Sequence, residues 1–159
     1  MGGNRRSFRI PEYDYSQPGA YFVTICTQGR RCLFGDIKEG QMQLNEFGQI
    51  ISKNWLALPT RFPHITLDEF VVMPNHLHGV VFFNYPLASL GQMVAYFKYL
   101  TTRGVNDKIG LSGAPLWQRN YYEHVIRNEK DMNRIREYIF NNPLQWHFDQ
   151  ENPQYNHPS

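Results

Sequence analysis

The stretch that most constrains this chain is residues 71–83, VVMPNHLHGVVFF, in which two apolar runs meet at a Pro-Asn pair. Pro and Asn favour tight turns, so the two runs are expected to pair as a β-hairpin. The second run is apolar on both faces, which is typical of a central strand covered on both sides. Gly79 in this strand would allow another element to approach closely.

The second run also carries two histidines one residue apart. Because side chains alternate between the faces of a strand, His76 and His78 are expected to point the same way. Histidine is the commonest nitrogen ligand for divalent metals, so the pair indicates a metal site. The alternative is a pair of core histidines that hydrogen-bond to their neighbours, and this motif alone leaves both interpretations open.

Composition narrows the class of protein. A chain of 159 residues with 42% apolar and 15% aromatic residues suits one folded domain and argues against disorder. No apolar run approaches membrane-spanning length, and no signal-peptide pattern is visible. The two cysteines, Cys26 and Cys32, lack metal-type spacing and suggest reduced thiols in a cytoplasmic protein. A net charge of +2 says little about partners.

Periodicity and caps give the order of elements. We expect strands at residues 20–26, 65–73, 76–83 and 117–127, and a short extended piece within 32–37. We expect helices at residues 46–58, 89–103 and about 129–141, with Asn45 and Asn128 as caps and Gly104 as a stop. This order resembles a ferredoxin-like α+β sandwich, an antiparallel sheet with helices packed on one face.

The regions outside and between these elements complete the expected organisation. Residues 1–18 read as an N-terminal arm, residues 19–146 as the main domain and residues 147–159 as a C-terminal tail. The polar tail from Gln145 is expected to be partly loose. Residues 104–115 read as a loop that is long enough to be mobile or functional.

The last predicted helix brings a second pair of polar residues together. Tyr138 and Asn142 are four residues apart, so both reach the same side of the helix. A protonated tyrosine, with a reference pKa of about 10, is a poor nucleophile. A divalent cation that polarises the attacked phosphate can change this. The alternative is that Tyr138 only packs and that Asn142 is the C-cap before Pro143.

Three blocks of the sequence carry a resemblance to a known family. They are MPNHLH at 73–78, WQRNYYEHVIR at 117–127 and YIFNNP at 138–143. In this order and spacing they resemble the HUH single-tyrosine transposases, and more narrowly the REP-associated tyrosine transposases, over about residues 19–146. The resemblance implies a domain that binds single-stranded DNA beside a folded hairpin, cuts it through a 5′-phosphotyrosine and rejoins it.

The resemblance also implies roles for individual residues. Tyr138 would be the nucleophile, and His76 and His78 would bind Mg²⁺ or Mn²⁺. Asn142 would be the third ligand, where the insertion-sequence relatives tend to have Gln. The relatives include dimers and monomers, so either a monomer or a homodimer is expected.

Contacts to DNA are expected from basic and aromatic residues. The basic candidates are Arg119, Arg127 and the N-terminal Arg5 and Arg6, and His124 is either a DNA contact or a buried structural histidine. The aromatic candidates for stacking on unpaired bases are Tyr96, Tyr99, Tyr121 and Tyr122, whose alternative is packing in the core. Two other classes of protein remain open. One is a non-catalytic module that binds single-stranded nucleic acid on the same sandwich. The other is a metal-dependent hydrolase that uses water as its nucleophile.

Overall fold

The computed structural model describes residues 19–85, 87–110 and 113–155. The predicted arm, with Arg5 and Arg6, lies outside the described residues. The strands are β1 (Gly19–Cys26), β2 (Gly35–Lys38), β3 (Gln41–Leu44), β4 (Ile65–Met73), β5 (His76–Phe83) and β6 (Tyr122–Ile126). The helices are α1 (Glu46–Leu56), α2 (Leu58–Arg61), α3 (Leu90–Ile109) and α4 (Glu129–Asn141).

Four of the strands form one antiparallel sheet in the order β4-β5-β1-β6. Strands β4 and β5 are a hairpin closed by Pro74 and Asn75, with Met73 opposite His76, which confirms the expected turn. On the next strands, Thr24 of β1 lies opposite His78 on one side and Tyr122 on the other. The predicted antiparallel α+β fold is therefore confirmed, with β5 and β1 at the centre of the sheet.

The two faces of the sheet are covered by different helices. Helices α1 and α3 pack on the face of Leu77 and Val81. Gly79 lies so close to α1 that a Cβ atom there would be 2.4 Å from the Trp55 ring. This confirms the expected close approach of another element at this glycine. Helix α4 departs from the expected arrangement with helices on one face. Its apolar stripe covers the histidine-bearing face instead, because the stripe matches the apolar side chains there, Phe22, Val80 and Phe82.

Helix α3 is longer than predicted. Gly104 does not stop it, because the missing side chain lets the helix pass close to α1: a Cβ at Gly104 would lie 3.1 Å from Ile50 Cγ2. The helix ends instead at Gly110, whose left-handed φ of 73° suits glycine. The predicted loop at 104–115 is correspondingly shorter.

Two further elements differ from expectation. The strand predicted at 117–127 pairs only from Tyr122 to Ile126, while Trp117 forms an isolated bridge to Thr27 and donates its ring N–H to Thr101. The hairpin of β2 and β3 was predicted only in its first half, because the second strand is short and polar. None of the helices in the described ranges combines the length and apolar character that crossing a membrane requires.

Candidate active site

The histidine pair lies where the sequence pattern places it, on one face of β5. His76 and His78 are both buried, and their ring centroids are 4.6 Å apart. The Nδ1 atom of His78 lies 2.7 Å from the hydroxyl oxygen of Thr24, the residue opposite it on β1. The Nδ1 atom of His76 lies 2.8 Å from Oδ1 of Asn75. Each ring is therefore held through Nδ1, and each Nε2 points elsewhere.

Asn75 fixes the orientation of His76. Its Nδ2 donates to two backbone carbonyls, that of Arg30 at 3.1 Å and that of Glu151 at 2.7 Å. With Nδ2 committed to acceptors, Oδ1 must face the histidine, and an amide oxygen can only accept. The hydrogen of His76 is therefore on Nδ1, and its Nε2 presents a lone pair. Metal-ligating histidines are commonly held in this way through their other nitrogen.

Helix α4 brings the tyrosine to the same place. The Asn128 side chain caps the start of this helix, as predicted, by accepting from the Asp131 backbone N–H at 2.8 Å. The Tyr138 ring lies 5.3 Å from the His78 ring between centroids and is 49% exposed. Asn142, one turn later, is buried at the end of the helix. The structure thus brings together, within one chain, the four residues that the sequence singled out as nucleophile and ligands.

Four buried polar atoms at this point have no hydrogen-bond partner: Nε2 of His76, Nε2 of His78, Oδ1 of Asn142 and Oδ2 of Asp149. Leaving one buried polar atom unpaired costs about 1–3 kcal/mol, so four together indicate a site for something that pairs with them. Imidazole nitrogens and amide or carboxylate oxygens are atom types that commonly ligate divalent cations. Among the described residues, no group of three His, Cys, Asp or Glu side chains is placed to hold a metal ion.

Asp149 is a part of the site that the sequence did not indicate. Its carboxylate lies 3.8 Å from His76 Nε2, too far for a hydrogen bond. The tail was expected to be partly loose, but its described part is fixed to the domain. The Gln150 carbonyl accepts from Arg30 at 2.9 Å, and the Glu151 carbonyl accepts from Asn75. The tail is polar and lies more than seventy residues after the histidines, so its local sequence pattern does not predict that it packs beside them.

Burial and charge set the protonation of the site. Burial lowers the pKa of His76, against the opposing effect of the Asp149 carboxylate, and burial together with His76 lowers the pKa of His78. Both rings are therefore neutral near pH 7, which is the form that binds metals. Burial and the charge of Asp149 raise the pKa of Tyr138, while the Asn142 amide acts in the opposite direction. The phenol is therefore protonated at neutral pH.

A cleft of about 1090 Å³ opens between α4, β6 and the tail, and Tyr138 lies in its wall. Asp149 and Glu151 line it on the side of the tail, and His124 and Arg134 line it on the side of β6. Of the predicted DNA contacts, His124 is in this cleft. Arg119 and Arg127 are exposed residues just outside β6 and are not among the described lining residues.

Comparisons with known proteins agree with one another. The family described as "Transposase IS200 like" matches residues 20–142. An uncharacterised protein of Haemophilus influenzae is 40% identical over 92% of both chains. A candidate REP-associated tyrosine transposase of the same organism is 27% identical, over 82% of this chain and 73% of its own.

Solved structures share the fold. A REP-associated tyrosine transposase bound to a REP hairpin has a TM-score of 0.62 at 23% identity, over 86% of this chain and 74% of that one. A candidate transposase of Deinococcus radiodurans has a TM-score of 0.54 at 18% identity, over 84% of this chain and 95% of that one.

Proposed function

The chain belongs to the IS200-like transposase family, and we propose that it cuts and rejoins single-stranded DNA through a covalent bond to Tyr138. The observation that carries the proposal is the convergence of the Tyr138 ring on His78, at 5.3 Å, beside a cluster of unpaired donor atoms. The hairpin bound to the structural relative supports a single-stranded substrate with a REP-like hairpin.

The proposed chemistry uses the phenol oxygen of Tyr138 as the nucleophile. The oxygen attacks the scissile phosphorus, and the bond between phosphorus and the 3′-oxygen breaks. The phenol proton is lost, the departing 3′-oxygen takes up a proton, and the 5′ phosphate stays on the tyrosine. Attack by another 3′-hydroxyl reverses the step and joins strands. Because the covalent intermediate conserves the phosphoester bond, no nucleotide hydrolysis is needed.

His76, His78 and Asn142 are the residues proposed to hold Mg²⁺ or Mn²⁺, with Asp149 close beside them. A bound cation would supply Lewis acidity at the scissile phosphate. The donor set fits such an ion because its four atoms are buried and lack other partners. Thr24 and Asn75 hold the two rings so that each Nε2 faces the proposed ion.

The remaining parts of the proposal concern partners and location. Arg119 and Arg127, both exposed, are proposed to contact phosphates outside the cleft. Arg5 and Arg6 are also proposed to contact phosphates of the DNA. Because one chain supplies the tyrosine and both histidines, a monomer is proposed to suffice for cleavage. The protein is proposed to work in the cytoplasm, because its proposed substrate, DNA, is there.

The test is the formation of a covalent adduct. Labelled single-stranded DNA with a REP-like hairpin is incubated with the protein and Mn²⁺ or Mg²⁺, and a denaturing gel is run. We expect a labelled protein band that requires the metal and is absent in Tyr138→Phe. Tyr122→Phe is the matched control, since Tyr122 also lines the cleft and is exposed; it should form the adduct normally.

Other outcomes would identify the alternative functions. Metal-dependent cleavage without a labelled protein band would indicate a hydrolase that uses water. Binding without cleavage, unchanged by EDTA and by Tyr138→Phe, would indicate a non-catalytic binding module. Either result would overturn the proposal.

A further inference from the structure

Beside the proposed nucleophile, the cleft contains a second group of polar side chains organised by one carboxylate. Asp131 accepts a hydrogen bond from His124 Nε2 at 2.9 Å and forms an ion pair with Arg134. The Asp131 side chain is only 13% exposed, whereas that of Arg134 is 69% exposed. Asp131 therefore fixes two side chains, and most of the guanidinium, with its five N–H donors, still faces solvent.

This group is about one nucleotide away from the proposed site of cleavage. Arg134 precedes Tyr138 by one helical turn, a rise of about 6 Å on the same side of α4. His124 lies opposite Phe22 on β1, and the Phe22 ring stacks on His78 with centroids 5.3 Å apart. From β5 across β1 to β6 is about 10 Å, given a strand spacing of about 4.8 Å.

Charge indicates which way a DNA strand leaves the site. On the side of the tail, the cleft is lined by the carboxylates of Asp149 and Glu151. These carboxylates disfavour a phosphodiester backbone there, since Arg30, the basic side chain that the described part of the chain places against Glu151, already pairs with it at 3.6 Å. On the side of β6, the exposed Arg134 offers N–H groups that Asp131 does not take, while His124 gives its N–H to Asp131. The favourable path for the backbone therefore runs from Tyr138 toward β6.

An exposed ring lies along this path. Tyr122 is 57% exposed and lines the cleft, and it sits in the same row of the sheet as His78, since both lie opposite Thr24. Its edge-to-face contact with Phe22, with centroids 6.2 Å apart, holds the ring in place. A fixed and exposed aromatic face is the usual stacking surface for an unpaired base.

We propose that Arg134, held by Asp131, which His124 in turn holds, binds the phosphate next to the scissile one, and that the intervening base stacks on Tyr122. This second nucleotide subsite rests on the proposed function, because it takes its position from cleavage at Tyr138. With this subsite, the protein would also recognise the unpaired nucleotide that lies next to the cleavage site on the side of β6.

The test measures binding separately from chemistry. In a Tyr138→Phe background, fluorescence anisotropy gives the affinity for a hairpin oligonucleotide with a single-stranded extension. Arg134→Met should weaken binding about tenfold, as expected for a lost charged hydrogen bond. Arg136→Met is the matched control on the same helix: Arg136 pairs with Asp68 of β4 at 2.6 Å and does not line the cleft. It should change affinity less than twofold.

Neutral methylphosphonates, introduced one at a time, identify the phosphate. One position should weaken binding by the parent about tenfold and have no further effect on Arg134→Met, because the two changes remove the same contact. His124→Ala should weaken binding less than Arg134→Met and reduce the effect at the same position, because His124 holds the Asp131 carboxylate that positions Arg134. Tyr122→Leu should weaken binding, whereas Tyr122→Phe, which keeps the ring face, should not. Thermal melts establish that each variant is folded.

Each outcome separates the two proposals. If wild-type protein forms the adduct but the losses of Arg134→Met and Arg136→Met are equal, or methylphosphonate effects add at every position, the subsite is refuted and the proposed function stands. If no adduct forms but one phosphate couples to Arg134, the subsite binds nucleic acid and the proposed catalysis is refuted.

Discussion

Replacing Asn75 by Ala should damage both stability and metal binding, by amounts that the contacts of this side chain allow us to work out. The amide is 1% exposed and makes three hydrogen bonds, to the carbonyls of Arg30 and Glu151 and to His76 Nδ1. At a net value of about 1 kcal/mol each, their loss amounts to roughly 3 kcal/mol of unfolding free energy. A domain with a typical stability of about 5–15 kcal/mol remains folded after such a loss.

The effect on metal binding has a separate cause. Without Asn75 Oδ1, nothing obliges the His76 ring to carry its hydrogen on Nδ1, and the ring can turn. Loss of a partner that orients a histidine ligand typically lowers metal affinity about 10–100-fold. Calorimetric titration with Mn²⁺ measures the affinity, and urea unfolding in EDTA measures the stability.

Asn106→Ala is the matched control for this prediction. Asn106 is also buried and lies in the C-terminal part of α3. Its Nδ2 donates to the Ala114 carbonyl at 3.0 Å. Its loss should cost about 1 kcal/mol and leave Mn²⁺ affinity unchanged. If a folded Asn75→Ala protein binds Mn²⁺ as tightly as the wild type, then His76 is not oriented by Asn75 toward a metal.

Three further predictions follow from single contacts. Gly79→Ala should destabilise the fold by about 1–3 kcal/mol in urea unfolding, because its Cβ would meet the Trp55 ring; unchanged stability would mean that α1 does not pack this closely. Asp149→Asn should lower the pKa of Tyr138, measured by phenolate absorbance, because the carboxylate helps to raise it; an unmoved pKa would place Asp149 away from the phenol. Mixing Tyr138→Phe with His78→Ala protein should give no covalent adduct, since one chain supplies both groups; restored adduct would show that chains exchange α4.

The elements that the sequence predicted well are those with local boundaries. Strands β4 and β5 have the predicted bounds because Pro74 and Asn75 favour a turn and separate the two apolar runs. Helix α4 begins after Asn128 because that side chain caps it. The histidine pair shares a face because alternation along a strand is a property of the backbone, and Tyr138 and Asn142 share a side because they are one helical turn apart.

What the sequence could not supply depends on contacts between distant segments. Gly104 looks like a helix stop, and only the nearness of Ile50 on α1 explains a glycine inside α3. Helix α4 packs on the face of the sheet that α1 and α3 leave uncovered, and this depends on the packing of all three helices. Asp149 lies near His76 because Asn75 and Arg30 donate hydrogen bonds to backbone carbonyls of the tail. Every residue has a backbone carbonyl, so such contacts cannot be predicted from the sequence.

The choice left open between a metal site and a pair of core histidines can now be argued from the paired and unpaired atoms. A buried ring nitrogen without a partner is costly, so one such atom in the core, as at His64 Nδ1, is tolerated more easily than several at one point. Here each Nδ1 is bound and each Nε2 is not, and two unpaired oxygens from different segments lie at the same point. The other two unpaired atoms of this kind in the described residues, Trp55 Nε1 and His64 Nδ1, belong to separate surroundings. Four donors left open by a hairpin, a helix end and a tail are better explained by a ligand that they share than by four independent defects of packing.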